Sequence, residues 1–284
     1  MPVEPEFAAD LYRGTAEAYD RFRRGYPPEM VEDLLRRVGV SGRGRLLDLA
    51  CGTGQLAFAV DRAFVETWAV DQEPEMVRVV AAKAQRGGRN IRAVVASAED
   101  LVAEAGRFEL IVVGNAFHRL RRDRVARRMF EWAAPGGAVA LCWSDSPWAG
   151  PAGWQGRFRA VIDRWRTRLG VQDRLPPGWA EARQSEPDLA VLGAAGFEPV
   201  GRFGFEAEHR WTVPELAGFV SSTSFLPAPV VGDRAAEFEE ELALALAADL
   251  RGGLLVNTAS YAYDLVRKPA GSSPRACARG DESC

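Results

Sequence analysis

Several residue types and patterns that would tie a chain to common functions are scarce here. The 284 residues include two histidines, two lysines and four cysteines. Cys51, Cys142, Cys277 and Cys284 form no C-x-x-C pair, so neither a zinc cluster nor a disulfide framework is expected, and all four read as free thiols. No set of metal-ligating side chains gathers in the sequence, and no metal is expected. No run approaches the ~20 apolar residues of a membrane span. The opening MPVEPEFAADLY also lacks the basic-then-apolar pattern of a secretory signal. A cytoplasmic location with no membrane partner is the expectation. The formal net charge of -3 gives no global pull toward nucleic acid. The cluster Arg119, Arg121, Arg122, Arg124, Arg127 and Arg128 reads as a solvated helix face, not a nucleic-acid patch. A small-molecule partner is expected, with the chain as a monomer or homodimer.

What is present is an alternating pattern. Strands are expected at Arg45 to Leu49, Phe64 to Val70, Ile91 to Ala96, Phe108 to Val113 and Ala138 to Trp143. Apolar residues at helical spacing fill Pro28 to Val38, a stretch from Gln55, Pro74 to Gly87, and about Asp123 to Ala133. Strands alternating with helices imply a parallel sheet covered on both faces. After Trp143 the rhythm breaks. Ser144 to Ser185, rich in tryptophan and proline and containing an amphipathic stretch near Trp154 to Leu169, reads as a lid. The sheet resumes with strands at Pro199 to Phe205 and Leu254 to Val266, separated by helices at Pro214 to Ser221 and Asp233 to Leu250. The expected fold is α/β: a Rossmann-like, doubly wound, seven-stranded sheet with helices on both faces and an α-helical lid insertion. The expected divisions are 1–144 for the N-terminal helices and ligand-binding core, 145–185 for the lid, 186–267 for the remaining strands and covering helices, and 268–284 for a disordered tail.

The stretch LLDLACGTGQLA, Leu46 to Ala57, carries the most chemistry. Ligands of open α/β sheets bind where strands end and the chain order reverses, and Asp48 stands at such an end. Gly52 and Gly54 let the backbone approach a ligand with no β-carbon in the way. The helix from Gln55 presents unpaired N–H groups. Asp71, nineteen residues past Gly52, closes the second strand, where a carboxylate can accept hydrogen bonds from both ribose hydroxyls. The spacing is not the G-x-G-x-x-G of a pyrophosphate-binding loop, and no P-loop lysine follows. A nucleoside without a phosphate chain fits best.

These residues resemble the class I S-adenosylmethionine-dependent methyltransferases of the small-molecule, natural-product type. The resemblance runs from Tyr12 to Trp143 through AVDQEPEMV, ASAEDL, IVVGNAFHRL and APGGAVAL. It implies S-adenosylmethionine as cofactor, with Asp48, Ala50 and Gly52 around the methionine portion and Asp71 on the ribose. Gln72 and Met76 fall beside the adenine, Ala98 and Glu99 over its edge, and Asn115 faces the cofactor from the fourth strand. The segment YDRFRRGYP is similar to one that helps close the site in relatives, making Tyr19, Arg24 and Tyr26 further cofactor contacts.

Methyl transfer needs an acceptor held behind the methyl carbon, and often a base. His118 and Asp145, just past the fourth and fifth strands, are the expected catalytic pair. Trp143, Trp148, Glu208 and His209 are the expected substrate contacts. Acidic residues, Asp145, Glu206 and Glu208 among them, favour a cationic acceptor. The expected activity is therefore N-methylation of an aminosugar or aminoglycoside in antibiotic biosynthesis. The alternatives are O- or C-methylation of another secondary metabolite, or a nucleoside-binding regulator without catalysis.

Overall fold

The computed structural model describes residues 7, 8, 10–171, 176 and 185–271. Its strands are β1 (Arg45–Leu49), β2 (Glu66–Asp71), β3 (Ile91–Val95), β4 (Phe108–Gly114), β5 (Ala133–Ser144), β6 (Glu198–Trp211) and β7 (Leu255–Arg267). They form one seven-stranded sheet in the order β3-β2-β1-β4-β5-β7-β6. The first five strands pair in parallel. β7 runs antiparallel to both β5 and β6, so the parallel strands expected from the alternating pattern are extended by an antiparallel pair into a mixed sheet. An antiparallel neighbour needs no helical crossover, so the helices between β6 and β7 are free to pack elsewhere.

Strand alternation sorts the core into layers. Leu47 and Leu49 of β1 join Ile111 and Val113 of β4 under α5 (Arg122–Trp132) and a later helix, Asp188–Ala194. Leu46 joins Leu110 and Val112 on the opposite face, under α2 (Pro28–Val38) and α3 (Gln55–Val60). Asp48 shares that second face, and this is why a carboxylate at a strand end is almost wholly buried. α4 (Pro74–Gly87) opens with proline in its first turn and stops on Gly88 at φ 57°, the left-handed conformation that glycine adopts without strain.

A third group of helices has its own core. α6 (Gly153–Arg168) packs with the helices Val213–Ser221 and Ala235–Leu246, together with Trp211 and Leu255. Its tryptophans are bonded into this layer: Trp154 Nε1 donates to the Val256 carbonyl at 3.1 Å and Trp165 Nε1 to Glu241 at 2.8 Å. The described part of the expected lid thus shares one core with the helices between β6 and β7. Residues 172–175 and 177–184 of that lid lie outside the described residues, as do 272–284 of the expected tail. Lys268 corrects the start of that tail. It is 3% exposed, and its ammonium donates to the carbonyls of Phe130 at 2.6 Å and Ala133 at 2.9 Å. Closing the end of β7 in this way extends the fold past residue 267.

Candidate active site

The chain order reverses between β1 and β4, which are neighbours in the sheet. The turn after β1 holds Ala50, and the turn after β4 holds Asn115. These are the two non-glycine residues with positive φ among the described residues, at 56° and 51°. A left-handed backbone under a side chain costs on the order of 1–3 kcal/mol and persists where the surroundings dictate it. At Asn115 they do so through four bonds. Its N–H donates to the Cys142 carbonyl at 2.8 Å, its Oδ1 accepts from Ser144 N–H at 3.0 Å, and its Nδ2 donates to Ser144 Oγ at 2.7 Å and to Tyr26 Oη at 3.5 Å.

Asp71 is held by the turn it faces. Its Oδ2 accepts from Gly52 N–H at 2.8 Å and its Oδ1 from Glu73 N–H at 2.9 Å. Each oxygen keeps a further acceptor site. Burial raises its pKa, and the N–H groups of Glu73 and Gly52 oppose the rise. Asp48 Oδ2 accepts from Ala57 N–H of α3 at 2.9 Å, while its Oδ1 has no hydrogen-bond partner among the described residues. Burial pushes the Asp48 carboxyl up to about 8, against the pull of that one N–H and with a small addition from Asp71.

Two cavities meet at this switch point. The outer one, about 1410 Å³ including its open mouth, is lined by Tyr19, Ala50, Gly52, Asp71, Gln72, Met76, Ala98, Glu99 and Asn115, nine residues expected from the sequence to contact the cofactor. The inner one, about 690 Å³ also including its open mouth, is lined by Arg24, Tyr26, Asp48, Asp145 and His209. Tyr19, Ala50, Gly114 and Asn115 line both. Arg24, Tyr26 and Asp48, expected at the cofactor, therefore face the inner side of the shared wall. Glu99 also accepts from the N–H of Arg121 at 2.9 Å, which fixes the entry to α5.

Four expected site residues fall elsewhere. His118 lines neither cavity. It sits in the single turn Phe117–Arg119, where its Nε2 accepts from Arg119 Nε at 3.2 Å and its ring lies 5.9 Å from that of Trp143. Trp143 itself occupies the α5 face of β5, with its Nε1 donating to Asp264 at 3.0 Å, because strand alternation sends it opposite to Ser144. Trp148 is packed edge-on against Phe158, Phe219 and Phe225. Glu208 is exposed and pairs with Arg210 at 3.0 Å, since it alternates with His209 along β6.

Other lining residues were missed by sequence reasoning. Arg119, not His118, borders the outer cavity, and burial lowers its pKa to about 10. Its guanidinium bonds the Tyr12 hydroxyl. The inner cavity gains Arg23, Trp211, Asn257 and Tyr261. The period-two spacing of Asn257, Ala259 and Tyr261 on β7 carried this signal, since all three fall on one face.

A family of methyltransferase domains matches residues 46–137. An uncharacterized methyltransferase of Mycobacterium tuberculosis is 30% identical over 127 residues, which cover 45% of this chain and 49% of that protein. The chain thus spans about half the length of the curated relatives it matches. Among solved structures, a protein assigned as a methyltransferase from Bacillus halodurans C-125 superposes with a TM-score of 0.52 at 16% identity, covering 85% of this chain and 99% of that one. The cyclase SpnF superposes with a TM-score of 0.53 at 19% identity, covering 95% and 99%. These likenesses show a shared fold.

Proposed function

We propose that the protein, whose residues 46–137 match a family of methyltransferase domains, is an S-adenosylmethionine-dependent methyltransferase acting on a small polar molecule. The observation that carries this reading is the pair of cavities with one common wall. The outer cavity is the larger and presents Asp71, whose spare acceptor sites suit a vicinal diol. The inner cavity lies directly behind Ala50 and Asn115, where an acceptor would stand in line with a methyl group at the wall. When bound, S-adenosylmethionine supplies an electrophilic methyl group on a cationic sulfur. Asp48, with its unsatisfied Oδ1, is the carboxyl that meets this positive charge.

The roles assigned to the chain are few. Asp71 and the Gly52 turn hold the nucleoside, with Gln72, Met76, Ala98 and Glu99 around the base. Tyr19 covers the junction of the cavities, and Asn115 locks the ends of β4 and β5 so that both present a fixed wall. Asp145, Arg23, Arg24 and His209 face the acceptor. With Asp48 set against the sulfonium, Asp145 is the one further carboxylate lining the inner cavity, since Glu206 and Glu208 lie on the exposed side of β6, and two guanidinium groups share the cavity. A hydroxyl acceptor therefore stands ahead of an aminosugar nitrogen. A fold shared with a cyclase does not by itself specify the reaction, so the chemistry needs a direct test. Incubation with S-adenosylmethionine and a panel of small alcohols, phenols, amines and aminosugars should release S-adenosylhomocysteine with at least one acceptor, and mass spectrometry should locate the methyl group. Absence of S-adenosylmethionine binding in calorimetry would overturn the reading.

A further inference from the structure

His209 and Tyr261, on neighbouring strands β6 and β7, both line the inner cavity. His209 Nε2 lies 2.7 Å from the Tyr261 hydroxyl, within hydrogen-bonding distance. Their rings stand 5.9 Å apart at 63°. Resting on the methyltransferase reading, we propose that Tyr261 and His209 are the proton-accepting pair of the inner cavity, and that the acceptor is methylated on a hydroxyl oxygen.

The surroundings suit this role. Arg24, from the segment after α1 (Ala16–Phe22), lines the same cavity as the histidine, stacked 4.4 Å over the Trp211 ring and bonded to Glu215 at 3.2 Å. Burial first, and then the Arg24 charge, lower the pKa of His209, so the imidazole is neutral and free to take a proton at neutral pH. Burial holds Tyr261 up at about 12, with Arg24 pulling it down and Asp145 pushing it up, so the phenol keeps its proton until a base takes it. Glu208 and Arg210, flanking His209 on β6, are exposed and pair with each other. The Tyr26 ring packs 6.0 Å from Tyr261 on the other side.

The step balances as follows. The acceptor oxygen bonds to the methyl carbon, whose former bonding pair stays on sulfur and neutralises it. The acceptor's proton passes to Tyr261 Oη as the phenolic proton passes to His209 Nε2. The imidazolium then releases that proton to solvent.

The chain holds two histidines, so nitrogen NMR resolves both, and His209→Gln assigns them. In the parent at pH 7, His209 Nε2 should be unprotonated, and Tyr261→Phe should shift its resonance. A proton on Nε2, or an imidazolium at that pH, overturns the proposal before any acceptor is known. With an acceptor from the panel above, His209→Gln and Tyr261→Phe should each lower kcat by about 10²-fold or more. KM and the affinity for S-adenosylmethionine should stay within about two-fold. The parent's kcat should fall in acid below the ordinary histidine range, and His209→Gln should lose that limb. Unchanged kcat in both folded variants also overturns the pair. Failure of the parent to bind S-adenosylmethionine overturns the methyltransferase reading instead, whatever the NMR shows.

Discussion

At the scale of single residues, Asp48 sets burial against charge. Its folded pKa of about 8 lies above the usual 3.8, so its contribution to stability is complete below about 4 and is lost as pH rises through about 8. Asp48→Asn keeps an oxygen for the Ala57 N–H and removes that loss. The ligand-free variant should melt at a higher temperature than the parent at pH 8.5, by scanning calorimetry, and should bind S-adenosylmethionine more weakly. Meeting a cation would favour the charged carboxyl, so binding near pH 7 should release a proton, read as a buffer-dependent heat. At Asp71 the expected effect is simpler. Asp71→Ala removes hydrogen bonds to a charged acceptor, and affinity should fall about ten-fold or more, equivalent to ~1.5–3 kcal/mol. Unchanged affinity would count against its place on the ribose. Asp71 was legible in the sequence because strand end, acid and glycine turn are all local. His118 was misplaced because a spacing of three residues fixes no direction once the chain enters the tight turn Phe117–Arg119, where the arginine takes the cavity side.

At the scale of elements, the β1–α3 turn stores strain in Ala50. Ala50→Gly at φ 56° relieves the β-carbon clash while loosening the unfolded chain, with a net gain of up to ~1 kcal/mol in urea unfolding. A loss of stability would show that the methyl packs well enough to offset its strain. The boundaries of α2 and α4 were readable from their prolines and closing glycines, and β1 to β5 from apolar runs beside helical spacing. β6 ran well beyond its expected span of Pro199 to Phe205, reaching Trp211. Its outward residues Glu206, Glu208 and Arg210 are solvated, so a polar stretch there still alternates. What the sequence could not supply was the partnering of β6 with β7, and hence the meeting of His209 with Tyr261 across 52 positions.

At the scale of the whole molecule, the inner cavity lies where the sheet meets a helical layer with its own core, and the outer cavity lies over the turns after β1, β2 and β4. A ligand that bridges turns after β1, β2 and β4 should stabilise the folded state as a unit. At ~100 times its Kd, S-adenosylmethionine should add about 2.7 kcal/mol, a rise in Tm on the order of 5–10 °C for a chain of this size. A shift confined to one of two separate transitions would show that the helical layer unfolds independently. The order of strands also bears on how the molecule is made. Among the described residues, β6 has β7 as its sole neighbour in the sheet, and β7 is the last strand. During synthesis β6 must wait, unpaired, while some forty further residues are translated. The face of β7 that completes the inner cavity arrives with the same segment. The nascent chain can therefore complete its outer cavity while the inner one is still open, and it carries a long exposed strand edge through that interval, the stage at which a chaperone or a second nascent chain would compete for it.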